Sequence, residues 1–227
     1  MASLRQASIA DKTIAAYRRD CRQFLIYSAA EGKDFPGKVD YRFLRRYAAW
    51  LAGQRYEKSS ISRKLSAVRG LFRFCRSEEL LGHNPADSLS SPKMARKLPV
   101  VLRPSEVESF LGAIDTRTPL GMRDRAIFEL LYGCGLRSEE VVNLRQVDVD
   151  HEQEEIKVTG KGKKTRMVPA GELALEALRE YQARGRPQLL SPEAIGNGDE
   201  PDWIFLSARG NQLGTSDIRR RTIKYVR

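Results

Sequence analysis

RDRAIFELLYGCGLRSEEVVNLRQVDVD, residues 123–150, and EIKVTGKGKKTRMVPA, residues 155–170, decide the fold between them. In the first stretch Ala126, Ile127, Leu130 and Leu131 recur at helical spacing, which predicts an apolar helix over residues 119–132 that Gly133-Cys134-Gly135 breaks. Residues 136–140, LRSEE, launch the next helix, with Ser138 as its cap and Glu139 and Glu140 in the first turn, where the helix dipole favours negative charge. Arg137 therefore sits at a junction between two helices. In the second stretch, residues 155–159 and 165–169 alternate like strands, and Gly160-Lys161-Gly162-Lys163-Lys164 joins them. The pair is a β-hairpin with a cationic tip.

Residues 103–106, RPSE, start a further helix, and the segment before it, SSPKMARKLPVV, is rich in Ser, Pro and basic residues in the manner of a linker. Three helices precede the linker. Residues 11–31 place Ile14, Tyr17, Cys21, Phe24 and Leu25 on one face, and residues 40–53 place Leu44, Tyr47, Ala48 and Leu51 on another. Residues 60–78, entered through a Ser59-Ser60 cap, carry the stripe Ile61, Leu65, Val68, Phe72 and Cys75. The pattern divides the chain into a helical module over 1–90, a linker over 91–101 and a second module over 102–227.

Charge is distributed unevenly across that division. The formal net charge is +11; residues 1–97 hold 20 Lys and Arg against 9 Asp and Glu, whereas 98–227 hold 20 of each. The whole excess belongs to the first module, which makes nucleic acid its expected partner. Thirteen of its 20 cations are Arg, spread over the predicted helices. Arg45 and Arg46 on the second helix, Arg63, Lys64, Arg69 and Arg73 on the third, and Lys93 and Lys97 in the linker are the candidate DNA contacts, able to meet phosphates at repeated spacing. Whether any of them reads a base is open, since an Arg binds phosphate and guanine alike.

Other function classes drop out. No run of 18 apolar residues is present and the first residues, MASLRQASIADK, lack a secretory core, so the expected location is the cytoplasm, with no membrane. Cys21, Cys75 and Cys134 are scattered, and His83 and His151 are the two histidines, which leaves no metal-ligand spacing and no Ser/His chemistry. GKGKK lacks the GxxxxGK[ST] spacing of a nucleotide loop and runs into a strand instead of a helix. Taken alone it is an ordinary Lys-rich surface turn.

The combination resembles the tyrosine recombinase, or phage integrase, family, and within it the Xer-type recombinases. Residues 123–150 and 156–170 carry the resemblance in the second module, and SSISRKLSAVRGLFRFCRSEELLGHNPAD, residues 59–87, carries it in the first. The resemblance implies a mainly α protein: an N-terminal SAM-like, core-binding helical domain followed by a partial mixed α/β catalytic domain with a small antiparallel sheet. It implies that Arg137 is the first catalytic arginine, binding the scissile phosphate as charge builds. Lys161 corresponds to the hairpin lysine that protonates the leaving 5′ oxygen, with Lys163 and Lys164 as phosphate contacts. The implied partner is double-stranded DNA, held in relatives by a homo- or hetero-tetramer, with no cofactor, metal or nucleotide. The implied job is chromosome segregation or mobile-element integration.

In the family the catalytic domain continues into a His-x-x-Arg segment, a second His or Trp, and the Tyr that becomes joined to the DNA 3′ end. These 227 residues contain no His-x-x-Arg. The expectation is of a C-terminally truncated recombinase, inactive alone, in which Tyr225 is a packing residue and not the nucleophile. The alternative is a DNA-binding fragment that occupies recombination sites without cleaving them.

Overall fold

The computed structural model describes residues 11–93, 101–160, 164–190 and 200–226. The chain forms two compact units, Met1–Pro99 and Val100–Arg227.

The first unit is helical: α1 (Asp11–Ala30), α2 (Tyr41–Gly53) and α3 (Lys58–Ser77). Asp40 starts α2 by accepting the Phe43 backbone N–H at 2.7 Å, which satisfies one of the donors a helix start leaves open. The start of α3 departs from expectation. It begins at Lys58 with Glu57 as the capping position and no side-chain cap, and Ser59 and Ser60 lie inside its first turn. Arg55, with φ of 58°, has already redirected the chain, so the entry to α3 is set by that bend and not by a hydroxyl.

All five apolar residues expected inward on α3 are buried. Phe24 of α1 is the centre of this core, set edge-on to Phe35, Phe43, Tyr47 and Phe72 at centroid distances from 5.0 to 6.4 Å. Leu25, expected beside it, is instead exposed. One residue is about 100° of helical rotation, enough to carry Leu25 off the face that Ile14, Phe24 and Ser28 bury.

The second unit contains α4 (Pro104–Gly112), α5 (Pro119–Gly133), α6 (Ser138–Val142), α7 (Glu172–Glu180) and α8 (Thr215–Val226). Its sheet has the order β1 (Val149–Asp150), β2 (Glu155–Thr159), β3 (Thr165–Pro169), both pairings antiparallel. The hairpin matches the expected strands residue for residue, with Thr159 opposite Thr165 and Glu155 opposite Pro169. Strand β1 and helix α7 are additions to what the pattern shows.

Helix α5 runs through the middle of this unit, with Met122, Ala126, Ile127 and Leu130 buried. Its first turn demands a glycine: a Cβ on Gly121 would lie 1.8 Å from the Asp115 carbonyl oxygen. Its end is set by Gly135, whose φ of 61° suits a residue without a side chain and turns the chain back toward the α5 core, where Leu136 is buried. That reversal delivers Arg137 to the start of α6.

Candidate active site

Arg137 occupies the capping position of α6, one residue ahead of the Ser138 that the sequence suggested, because the cap comes from Glu140 and not from a hydroxyl. Glu140 Oε2 accepts the Arg137 backbone N–H at 2.8 Å, and Glu140 Oε1 accepts from Arg137 Nη1 at 3.0 Å. The Arg137 side chain is 74% exposed while that of Glu140 is 3% exposed. A buried carboxylate thus steadies an outward-facing guanidinium from behind, leaving its other donors to solvent or to an anion.

The same carboxylate holds the hairpin. Arg166, on β3, donates from Nη1 to Glu140 Oε1 at 2.7 Å and from Nη2 to Glu140 Oε2 at 3.1 Å. Gly160, at the end of β2, donates its N–H to the Lys164 carbonyl at 2.8 Å, and a Cβ on it would stand 3.5 Å from Glu140 Oε1. The root of the cationic hairpin and the Arg137 corner therefore meet at one carboxylate. Hydrogen bonds from Arg166, followed by those from the Arg137 backbone and side chain, pull the Glu140 carboxyl from its ordinary 4.5 down to about 2, against the opposing effect of burial.

Glu140 and Arg166 were not singled out as partners by sequence reasoning. An Arg-x-x-Glu spacing at a helix start was the available signal for Glu140. Nothing local identified Arg166, since it reaches Glu140 across 26 residues. Lys164 is exposed at the root of the tip. Lys161 and Lys163, like Lys97 of the linker, lie outside the described residues.

In the first unit the candidate DNA contacts separate into two kinds. Arg45, Arg73 and Lys93 are exposed. Arg46 is exposed too, with its guanidinium 5.4 Å from the centre of the Phe43 ring. Arg69 is tied down, donating to the Leu89 carbonyl at 2.7 Å and to the hydroxyls of Ser66 and Ser91 at 2.9 and 3.0 Å. It shares a concave surface with Tyr17, Gly70 and Arg73. Arg63 pairs with the buried Asp20.

Lys64 is not the open cation that its place on α3 suggested. It is buried, with Nζ 3.0 Å from Asp20 Oδ1 and 2.6 Å from Gln23 Oε1, and it lies over the Tyr56 ring at 4.7 Å. Its charge is compensated inside the unit, because an ammonium withdrawn from water requires a paired carboxylate. A helical-wheel reading that assigns every cation to solvent misses this, since Asp20 lies on another helix.

Tyr225 is also accounted for. Its ring stands edge-on to Phe110 and Phe128 at 6.2 Å from each, and its hydroxyl donates to Asp124 Oδ2 at 2.9 Å. Burial, reinforced by the Asp124 charge, pushes the phenol up to about 12. Asp124 is held in turn by Arg123 and Arg221 at 2.7 and 2.9 Å, so this tyrosine is one corner of the network that fastens α8 to α5.

Among the described residues no group of three or more His, Cys, Asp or Glu side chains could hold a metal ion, and no helix is long and apolar enough to cross a membrane.

Residues 100–227 match the phage integrase family, and residues 2–79 match the SAM-like N-terminal domain of phage integrases. The chain belongs to the phage integrase family. This tyrosine recombinase is 37% identical over 223 residues to the tyrosine recombinase XerC of Pelotomaculum thermopropionicum, covering 95% of this chain and 71% of that protein. It is 36% identical over 223 residues to XerD of Vibrio cholerae, covering 97% and 71%. Among solved structures, the Tn1549 transposon integrase in complex with a circular intermediate DNA superposes with a TM-score of 0.76 at 18% identity, covering 99% of this chain and 76% of that one. A lambda integrase dimer bound to a core site gives 0.69 at 14%, covering 98% and 76%. The fold is that of the family: a SAM-like helical domain and an integrase catalytic domain. Site-specific recombination is the family's general activity.

Proposed function

We propose that the chain binds double-stranded DNA and supplies the phosphate-clamping and acid half of a recombinase site. Arg137 grips a non-bridging oxygen of the scissile phosphate, and Lys161 gives a proton to the departing 5′ oxygen. In the complete reaction a tyrosine oxygen attacks the phosphorus, the tyrosine–phosphorus bond forms as the bond to the 5′ oxygen breaks, and the phosphate remains on the 3′ end. Attack by a 5′ hydroxyl reverses these steps and rejoins the strand. Every phosphodiester broken is replaced by a phosphoester of similar energy, so the exchange calls for no nucleotide. The observation that carries this reading is the exposed Arg137 guanidinium held by the buried Glu140, with the root of the lysine hairpin on the same carboxylate.

The nucleophile is the part these residues do not supply. Tyr225 is half-buried, hydrogen-bonded to Asp124 and raised to about 12, the opposite of an activated phenol. That observation favours a second reading, in which the 227-residue chain acts as a non-cleaving DNA binder that occupies or modulates recombination sites. Tetramer assembly on DNA, a cytoplasmic location, and a role in chromosome segregation or mobile-element integration belong to the proposal as a whole.

A nicked duplex carrying a Xer-type site, from which a cleaved strand is lost irreversibly, separates the two readings. The 227-residue chain and the same chain joined to a segment bearing His-x-x-Arg and the family tyrosine are scored for covalent protein–DNA adduct. Binding by both, with adduct from the joined chain alone, is the expected result. An adduct from the 227-residue chain refutes the assignment of Tyr225 to packing, and failure of both to bind refutes the DNA-binding proposal.

A further inference from the structure

Glu140 has four places to accept hydrogen bonds and uses all of them: the Arg137 N–H, Arg137 Nη1, Arg166 Nη1 and Arg166 Nη2. From this saturation we infer that Arg166 is a positioning residue for phosphate capture, acting through Glu140 on Arg137. The inference rests on the reading of Arg137 as the phosphate clamp.

Two guanidiniums share one negative charge at this corner. Arg166 meets the carboxylate with both terminal nitrogens, a fork-to-fork contact, whereas Arg137 spends one side-chain donor on it. Arg166 is thereby the principal counter-ion of Glu140, and the corner as a whole keeps one positive charge, displayed on the more exposed partner. The Arg137 side chain is 74% exposed against 43% for Arg166. If Arg166 is removed, the carboxylate is left with Arg137 alone. Arg137 then closes on Glu140 in the bidentate geometry that Arg166 had used, and its charge and donors are withdrawn from any anion in front of it. Because Arg166 is also a residue of β3, its removal frees the hairpin root from the carboxylate. One contact therefore couples the electrostatics of the clamp to strand β3 of the hairpin.

A structural residue and a positioning residue differ in what their loss changes. A structural loss lowers stability everywhere, whereas loss of the Arg166 counter-ion specifically weakens anion binding at Arg137. Side-chain Nε–Hε resonances of the whole 227-residue chain, titrated with inorganic phosphate, separate the two, because Arg45 and Arg73 report non-specific phosphate binding in the same sample. In the wild type the Arg137 signal is expected to shift at lower phosphate than those of Arg45 and Arg73. In Arg166→Ala the Arg137 midpoint is expected to rise about fivefold, equivalent to about 1 kcal/mol, with the Arg45 and Arg73 midpoints unmoved. Arg166→Lys, which keeps the charge but lacks the fork, is expected to fall between the two. It also serves if the Ala variant unfolds, which loss of the Arg123 and Arg221 signals reveals.

An unchanged Arg137 midpoint in a folded Arg166 variant overturns the positioning role while leaving the phosphate clamp in place. Equal shifts of all three midpoints overturn it as well, by showing a global change. A wild-type Arg137 that responds no earlier than Arg45 overturns the clamp itself, and the positioning role with it.

Discussion

Replacing Glu140 by Gln tests the corner on which the site is built, and its effect has a defined pH dependence. The Glu140 carboxyl lies at about 2 in the folded chain against an ordinary 4.5. A tenfold change in proton affinity is worth about 1.4 kcal/mol, so a displacement this large corresponds to about 3 kcal/mol of stability. Both partner guanidiniums are more than two-fifths exposed, and water screens them, which lowers the expected value to about 1–2 kcal/mol. The folded pKa is depressed, so the contribution is fully present above the unfolded value near 4.5 and is lost as pH falls toward 2. Glu140→Gln keeps the size and one acceptor oxygen but not the charge. At pH 7 it should lose about 1–2 kcal/mol, a drop in urea midpoint of about 0.5–1 M. The difference should shrink below pH 4.5 to a small remainder near pH 2, where the wild-type carboxyl is half protonated in the folded chain, and vanish below that.

The chain has two tryptophans, Trp50 in the first unit and Trp203 in the second. A Trp50→Phe background therefore lets Trp203 fluorescence report the unit that contains Glu140. Wild-type and Glu140→Gln urea curves taken in that background from pH 7 to pH 2.5 provide the measurement. A difference that is the same at every pH would falsify the charge-based account and assign the loss to packing. No difference at pH 7 would show that Arg137 and Arg166 gain nothing from the carboxylate.

Two further outcomes follow from buried polar groups. Asp20→Ala leaves Lys64 buried without its counter-ion and should cost about 3–5 kcal/mol; Arg63→Ala, which removes the more exposed partner, should cost about 1 kcal/mol or less. Thermal unfolding of the two variants measures the contrast, and equal losses would show that Lys64 escapes to solvent. Tyr225→Phe removes a single donor to Asp124 and should cost about 1 kcal/mol. In the joined chain it should leave adduct formation unchanged, and loss of adduct would return Tyr225 to the reaction.

Much of this architecture was legible in the sequence because it is local. The α3 stripe at helical spacing and the hairpin strands flanking a Gly-Lys tip came out as the periodicity indicates, since apolar faces must be buried wherever the chain repeats them. The helix-to-helix junction at Arg137 was equally visible, because a glycine beyond a helix end marks a reversal. The resemblance to tyrosine recombinases supplied the roles expected of Arg137 and Lys161, which neither composition nor spacing provides. Short or context-dependent features escaped. Strand β1 has two residues, too few to show alternation, and the starts of α3 and α6 were set by a bend and by a carboxylate three residues along, not by the nearby serines.

The sequence by itself determined the two-part organisation, the basic first module and the position of Arg137, all properties of residue order and near neighbours. Tertiary structure alone decided which charges remain available. Arg63 and Lys64 look like phosphate ligands on their own helix, yet Asp20, more than 40 residues away, draws both of them inward. Arg166 looks like one more cation of the hairpin, yet it is the counter-ion that leaves Arg137 facing outward. The physical reason is that the availability of a charge is set by the nearest opposite charge and by access to water, and folding fixes both between residues that the sequence keeps far apart.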